Sequence, residues 1–407
     1  MNQDVSIPPQ PLVGLARLMR MAHAGEDISM LGEQFVSRAR ADMYDAHALL
    51  DLSTVMQLRG DRDLAMSIQA QALEVQQLYV PPTAAAPGAL RVLAMMAPGD
   101  LMSNTPLEFL LERENVELQL LYLAPHLPLP PELPDHDVLF VAIGESDENL
   151  SLLGELEAVL AEWPRPVLNR PGQIAQLTRD NVCALLKGAP GVAMPETARV
   201  ERQALRQTGY GELAVSALLA EGQFPLIVRP VDSHAGKGLD KLDAPADIAT
   251  YLQDKPQTEF YISRFVDYRN ADGQFRKYRI VLIGGRPYLC HLAISSNWMI
   301  HYLNAGMTES AEKRAEEARC MENFDEDFAR RHADAFRAIH ERMGLDYLGI
   351  DCGETADGKL LVFEVDSNMI VHAIDPVDVY PYKQPQMRKI FEAFCAMLRK
   401  AAGRGAA

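Results

Sequence analysis

The segment YLGIDCGETADGKLLVFEVDSN, from Tyr347 to Asn368, constrains the fold of this chain more than any other. Two runs rich in aromatic and aliphatic residues, Tyr347 to Cys352 and Lys359 to Asp366, flank the pair Asp357-Gly358. Asp-Gly between such runs is a strong hairpin signal, because the favoured tight turn needs positive φ at its centre. The segment is therefore read as two antiparallel strands. Side chains alternate along a strand, so Glu364 and Asp366 leave from one face. Asp351, near the end of the first strand, reaches that face too. Three carboxylates beside Leu361, Phe363 and Val365 repel one another unless a cation offsets them. Hard oxygen donors of this kind suit Mg2+, which uses one or two carboxylates plus phosphate oxygens. The competing reading is an acidic hairpin whose charges face water.

Upstream, FPLIVRPV (Phe224 to Val231) reads as a short buried strand ending in Arg229 and a proline. It leads into DSHAGKGLDKL, where Gly236 and Gly238 bracket Lys237. Small residues let backbone N–H groups approach a phosphate closely, and the ammonium adds charge. The GxxxxGK[ST] spacing of a Walker loop is absent, and a plain hairpin loop competes with the phosphate reading. The stretch from Glu259 to Ser295 reads as three strands with glycine turns. In it Lys277 and Arg279 lie two apart and share a face. The run Ile280 to Ile283 marks the sheet as mostly buried, where a cation needs an anionic partner.

The order of these parts resembles the ATP-grasp superfamily of carboxylate–amine and carboxylate–thiol ligases, over roughly residues 165 to 400. The resemblance implies an α/β architecture: an α+β ATP-grasp fold preceded by a small parallel α/β domain. It implies ATP and Mg2+ as cofactors. It places the metal on Asp351, Glu364 and Asp366, and a phosphate-covering loop on Ser233, Gly236, Lys237 and Gly238. It places the adenine hinge on Arg264, Phe265 and Val266, following Ser263. Lys277 and Arg279 become the phosphate-binding and catalytic cations, with Arg229 beside them. The sequence departs from the family at Asp366, where an asparagine is usual, and at Arg229, where a lysine is usual. Arginine keeps the charge and can hold a phosphate by two hydrogen bonds. A further family lysine is not evident, and Arg179 is the nearest cation. Asp267 and Asp272 are candidates for the ribose.

Three segments are expected: a helical, tetratricopeptide-like segment over 1–80, an α/β domain over 88–170 and the ATP-grasp domain over 171–407. In the first, Leu52, Gly60, Ala65 and Ala72 occupy the large, turn and small positions of such a repeat. Gly25 lies 35 residues before Gly60 and suggests a second, degenerate unit. An ordinary helical extension is the simpler reading. VPPTAAAPGAL at 80–90 marks a boundary by its proline and alanine content. Strands then alternate with helices, which implies a small parallel sheet. Ligands bind outside the carboxyl ends of such strands, here Ala97 to Asp100 and Gly144 to Ser146. Candidate substrate contacts are Asn297, His301 and Asn304 in a segment rich in aromatic and amide groups. Asn368 and His372, just after the acidic strand, complete them. The charged run at 311–320 is expected to be a solvated helix face.

A net charge of −17 argues against nucleic acid as the main partner, because phosphate backbones need a basic surface. No membrane span or secretory signal is expected from the hydropathy of the chain. Five scattered cysteines without a CxxC pair read as reduced thiols, which fits a cytoplasmic protein. The partners expected are a small-molecule carboxylate and an amine, or a peptide, with a homodimer implied by the resemblance. The reaction implied is attack of a carboxylate on the γ-phosphate, then attack of an amine on the acyl phosphate. Two other functions stand beside it: a catalytically inactive ATP-binding adaptor that works through its helical segment, and an ATP-grasp phosphotransferase.

Overall fold

The computed structural model describes residues 10–233, 236–301 and 304–405. The chain divides into two compact units, one of Met1–Gly144, Asn149–Ile174 and Ser367–Ala407, the other of Glu145–Glu148 and Ala175–Asp366.

The first unit opens with four helices, α1 (Leu15–His23), α2 (Ser29–Ala41), α3 (Ala46–Leu58) and α4 (Arg62–Val75). Ala48, Ala65 and Ala72 are fully buried. Their small side chains let α3 and α4 approach closely about Gly60, whose φ of 87° the turn requires. Asp45 caps α3 by accepting the Ala48 amide at 2.9 Å. The start of α1 is held by two acids from elsewhere in the unit. Asp51 accepts the Val13 and Gly14 amides at 2.8 and 3.0 Å, and Glu108 accepts the Ala16 amide at 3.2 Å.

A five-stranded sheet follows, in the order β1-β3-β2-β4-β5. Its elements are β1 (Leu78–Tyr79), β2 (Leu90–Met96), α5 (Leu107–Leu111), β3 (Val116–Tyr122), β4 (Val138–Val141), α6 (Leu150–Leu160), β5 (Val167–Leu168) and α7 (Pro171–Ile174). Strands β2 to β5 are parallel, and β4 is buried along its whole length, as parallel sheets demand. The residues just before the proline-rich linker supply an edge strand, with Leu78 opposite Leu121 in antiparallel register.

The second unit runs through α8 (Arg179–Leu186), β6 (Val192–Ala193), β7 (Thr197–Glu201), α9 (Arg202–Gly209), α10 (Val215–Leu218), β8 (Leu226–Pro230), β9 (Asp240–Leu242), α11 (Pro245–Gln253) and β10 (Glu259–Arg264). It continues with β11 (Phe275–Ile283), β12 (Arg286–Ser295), α12 (Ala311–Glu322), α13 (Phe328–Arg331), α14 (Ala333–Met343), β13 (Tyr347–Glu354) and β14 (Leu360–Asp366). Two sheets result, β7-β10-β8-β9 and β12-β11-β13-β14-β6. The first is antiparallel and packs Val228, Phe260 and Ile262 against Leu205, Ile248 and Leu252. The second contains the hairpin β13–β14, whose turn holds Gly358 at φ 79°.

Two helices differ from the sequence reading. The last helix, α15 (Lys383–Ala401), belongs to the first unit, not to the unit that carries the hairpin. Its Phe394 meets Phe140 of β4 edge to face at 5.5 Å. The helix at 311–322 is not uniformly solvated either. Its Glu317 is fully buried and accepts the Leu292 amide at 3.0 Å, which ties α12 to β12. Among the described residues no helix is long and apolar enough to cross a membrane.

The acids beneath α1 make stability depend on pH. Burial pushes Glu108 up to about 7, opposed by the amides it accepts and helped by the Asp51 charge. A carboxyl raised in the folded state stabilises the fold fully below its ordinary value. That contribution is lost as pH rises through the folded value. Glu108→Gln keeps the shape and cannot ionise. The variant is therefore expected to gain stability relative to the parent as pH rises from the ordinary glutamate range to about 7, then level off. Thermal melts across pH check this; a parallel pair of curves would contradict it.

Candidate active site

Strand register in the second sheet sets a row of polar groups side by side. His291 of β12 faces Arg279 of β11, Arg279 faces Asp351 of β13, and Asp351 faces Glu364 of β14. A shift in register follows Arg279 in one pair and Asp351 in the other, so a β-bulge lies on each side of the row. Bulges bend a strand and re-aim its side chains. Lys277 lies two residues before Arg279 and therefore on the same face.

Asp351 is almost fully buried, with 1% of its side chain exposed. It ion-pairs with Lys277 at 2.7 Å and with Arg279 at 2.8 and 2.9 Å. Burial alone would raise this carboxyl, but Arg279 and Lys277 hold it well below the usual carboxylate range. The reciprocal effect keeps Arg279 firmly charged: burial opposes the charge, and Asp351 outweighs burial. Glu364 is paired with Arg179 at the start of α8. Arg179 also donates to the Phe363 carbonyl at 3.3 Å. Glu364 is lowered in spite of burial, by Arg179 first and Arg229 second.

Arg229, at the end of β8, is 8% exposed. Burial, with a contribution from Arg179, lowers it to about 10, while Glu364 and Asp366 act in the other direction. Its Nε donates to the Ser233 hydroxyl at 3.2 Å, and Ser233 donates to the Pro230 carbonyl at 2.7 Å. The glycine loop begins here. Gly236 and Gly238 have φ of 73° and 71°. A Cβ on Gly238 would come within 2.9 Å of Pro230, so only glycine fits. Lys237 is exposed. His234 and Ala235, within this loop, lie outside the described residues.

Phe265 follows Arg264 at the end of β10, with Val266 next in the chain. Its ring meets Trp298 edge to face at 5.9 Å, and Lys241 sits over it at 5.3 Å. His301 is lowered by burial and then by Lys277 and Arg279, which places it beside the charged row. Its amide donates to Asn304 at 2.9 Å. Asn297 and Asn304 are exposed. Tyr302, in the same segment, lies outside the described residues. Asn368 and His372 belong to the first unit. There Asn368 donates to the Met102 carbonyl at 2.5 Å, and His372 is lowered by burial to about 4.

The structure thus brings Lys277, Arg279, Asp351, His301, Glu364, Arg179, Arg229 and Asp366 into one neighbourhood of the second unit. Glu145, from the strand-end loop expected to meet a ligand, joins them, with Asp232, Asp147 and Arg199, to which the sequence reading gave no role. Glu145 is raised to about 8, by burial and then by Asp232, Asp366 and Asp147. Asp232 adopts φ 54°, unusual for a residue with a side chain. It accepts the Asp147 amide at 3.2 Å. Arg199 pairs with both Asp147 and Glu259, at 2.5 and 2.6 Å. No spacing rule in the sequence signals these partners, because Glu145 and Asp232 come from loops far apart in the chain.

The donor chemistry of Asp351, Glu364 and Asp366 fits Mg2+, since all three offer hard carboxylate oxygens. Asp351 and Glu364 are held in ion pairs. Among the described residues, no three His, Cys, Asp or Glu side chains are grouped to hold a metal ion. The sequence reading had grouped these three acids as ligands; here Asp351 is turned onto Lys277 and Arg279, and Glu364 onto Arg179.

No family model matches the chain, and no curated protein matches it in sequence. Among solved structures, it is similar to VanG D-Ala:D-Ser ligase from Enterococcus faecalis, at 12% identity and a TM-score of 0.45 over 76% of this chain and 99% of that one. A RimK domain ATP-grasp protein from Sphaerobacter thermophilus is similar at 18% identity and a TM-score of 0.41, over 76% and 99%. The D-alanine–D-alanine ligase of Bacillus anthracis, in complex with ATP, is similar at 14% identity and a TM-score of 0.43, over 78% and 100%.

Proposed function

We propose that this chain is an ATP-dependent carboxylate–amine ligase of the ATP-grasp type. The observation that carries the reading is the row of charge-matched groups at the second sheet, buried at Asp351 and Arg229 and half-buried at the others. Lys277, Arg279, Arg179 and Arg229 meet Asp351 and Glu364 there, beside a loop that only glycine can close. Burying that many charges is costly unless each is paired. A ready exchange of partners gives them a use.

In this reading Lys277, Arg279 and Arg179 turn from the acids to the oxygens of a bound triphosphate. The acids released, Asp351 and Glu364, with Asp366, would hold Mg2+, which supplies charge neutralisation at the β- and γ-phosphates. Arg229 stays beside the phosphates, positioned through Ser233. Phe265, with Trp298 at its edge, offers a flat apolar wall for an adenine ring. Gly236 and Gly238 let the loop backbone approach phosphate oxygens.

The chemistry needs position and charge rather than a covalent intermediate on the protein. A substrate carboxylate oxygen attacks the γ-phosphorus. The bond from that phosphorus to the bridging oxygen breaks, and ADP leaves with the electron pair. An amine then attacks the carbonyl carbon of the acyl phosphate, inorganic phosphate leaves, and the amine loses a proton. The class of reaction is amide or peptide bond formation.

The test is ADP release from ATP and Mg2+ with pools of amino acids and small carboxylic acids, each with and without an amine. ADP is expected only with a particular acid and to rise when its amine is added. Failure of the protein to bind ATP would overturn the proposal.

A further inference from the structure

Within the first unit, a cavity of about 70 Å3 lies between the start of α1, the helices α3 and α4, and the carboxyl ends of β2 and β3. A single water needs on the order of 10–15 Å3, so the space takes a group of several heavy atoms. Leu12, Leu50, Met96, Leu107 and Leu120 give it apolar walls. Its polar lining is one-sided. Asp51, Asp100 and Glu108 contribute carboxylates, and among the described residues no lysine, arginine or histidine lines it.

Asp100 has a cation outside the cavity, Arg62 at 3.2 Å. Asp51 accepts the Val13 and Gly14 amides, and Arg38 and His47, which do not line the cavity, act on its charge from outside; Glu108 accepts the Ala16 amide and lies in the field of Asp51 and Glu112. Each carboxylate oxygen has two lone pairs, so capacity remains after one amide bond. A further acceptor stands at the wall. Gln57 Oε1 is buried and has no hydrogen-bond partner. A buried acceptor left without a donor is costly, and natural structures rarely leave one so.

We propose that this cavity binds a small primary ammonium on a short aliphatic stem. The ammonium supplies three donors and one positive charge to Asp51, Glu108 and Gln57. The leucines and Met96 receive the methylenes. A bare metal ion fits less well, because the walls are half apolar and no three acids are grouped as ligands among the described residues. Burial raises both acids, Asp51 to about 6 and Glu108 to about 7, and the Asp51 charge adds to the rise of Glu108, a state that a bound cation would relieve. The proposal stands without the ligase reading, because the binding needs neither ATP nor turnover.

The experiment is titration calorimetry on the full chain in the absence of ATP, with ethylammonium chloride as the probe. Potassium chloride and tetramethylammonium chloride at matched ionic strength are the comparisons. Saturable binding of ethylammonium in the millimolar range is expected, with affinity reduced about tenfold or more in Glu108→Gln. Gln57→Leu, which leaves the amide contacts of α1 untouched, is expected to weaken binding by about fivefold. Thermal melts confirm that each variant is folded. Absence of saturation up to about 100 mM, equal binding of potassium, or unchanged affinity in both variants would overturn the proposal.

Discussion

Glu364→Gln is expected to lower ATP turnover by roughly 10²–10³-fold, the usual cost of removing one preorganised charge from a reacting site. The substitution keeps the shape and one oxygen that can still accept from Arg179. It removes the negative charge that faces Asp351 across the hairpin. The fold should survive, because Glu364 is partly exposed and its neighbours Leu361, Val362 and Val365 stay packed. The expected stability loss is about 1 kcal/mol. Steady-state ADP release, read beside a melting curve, separates the two effects. A full-rate Glu364→Gln enzyme would remove Glu364 from the chemistry.

Asp351→Leu is expected to have the larger effect on stability, a loss of roughly 3–5 kcal/mol. Leucine fills the space, but Lys277 and Arg279 then lie partly buried without their anion. Adding Arg279→Met should recover part of the loss, since replacing both members of a buried pair by apolar groups is often neutral. Urea denaturation of the single and double variants checks this. The sign with pH is also fixed. Asp351 is held low in the folded state, so its contribution is complete above the ordinary aspartate range. It is lost as pH falls through and below that range. The Asp351→Leu penalty should therefore shrink in acid.

The hairpin could be read from sequence because its signals are local. Asp357-Gly358 fixes the turn, and alternation along β14 fixes which residues share a face with Glu364. Lys277 and Arg279 were legible as a facing pair for the same reason. Their partner was not. The register that sets Arg279 against Asp351 joins strands 72 residues apart, and no local pattern encodes it. Arg179 illustrates the limit further: it was singled out as the nearest cation, but its bond to Glu364 spans 185 residues. The parallel pairing of β6 with β14 rests on two residues, Val192 and Ala193, too few to show a period. Glu317 looked like one more charge on a solvated helix, and only the amide of Leu292 explains its burial. Glu145 and Asp232 come together through loops, where backbone geometry rather than residue pattern decides position.

The most direct measurement is hydroxylamine trapping with ATP, Mg2+ and an active carboxylic acid but no amine. Hydroxylamine converts an acyl phosphate to a hydroxamate, which mass spectrometry identifies. Hydroxamate in equal amount to ADP, both falling by roughly 10²–10³-fold in Glu364→Gln, is the expected result. ADP formed without hydroxamate would contradict carboxylate activation.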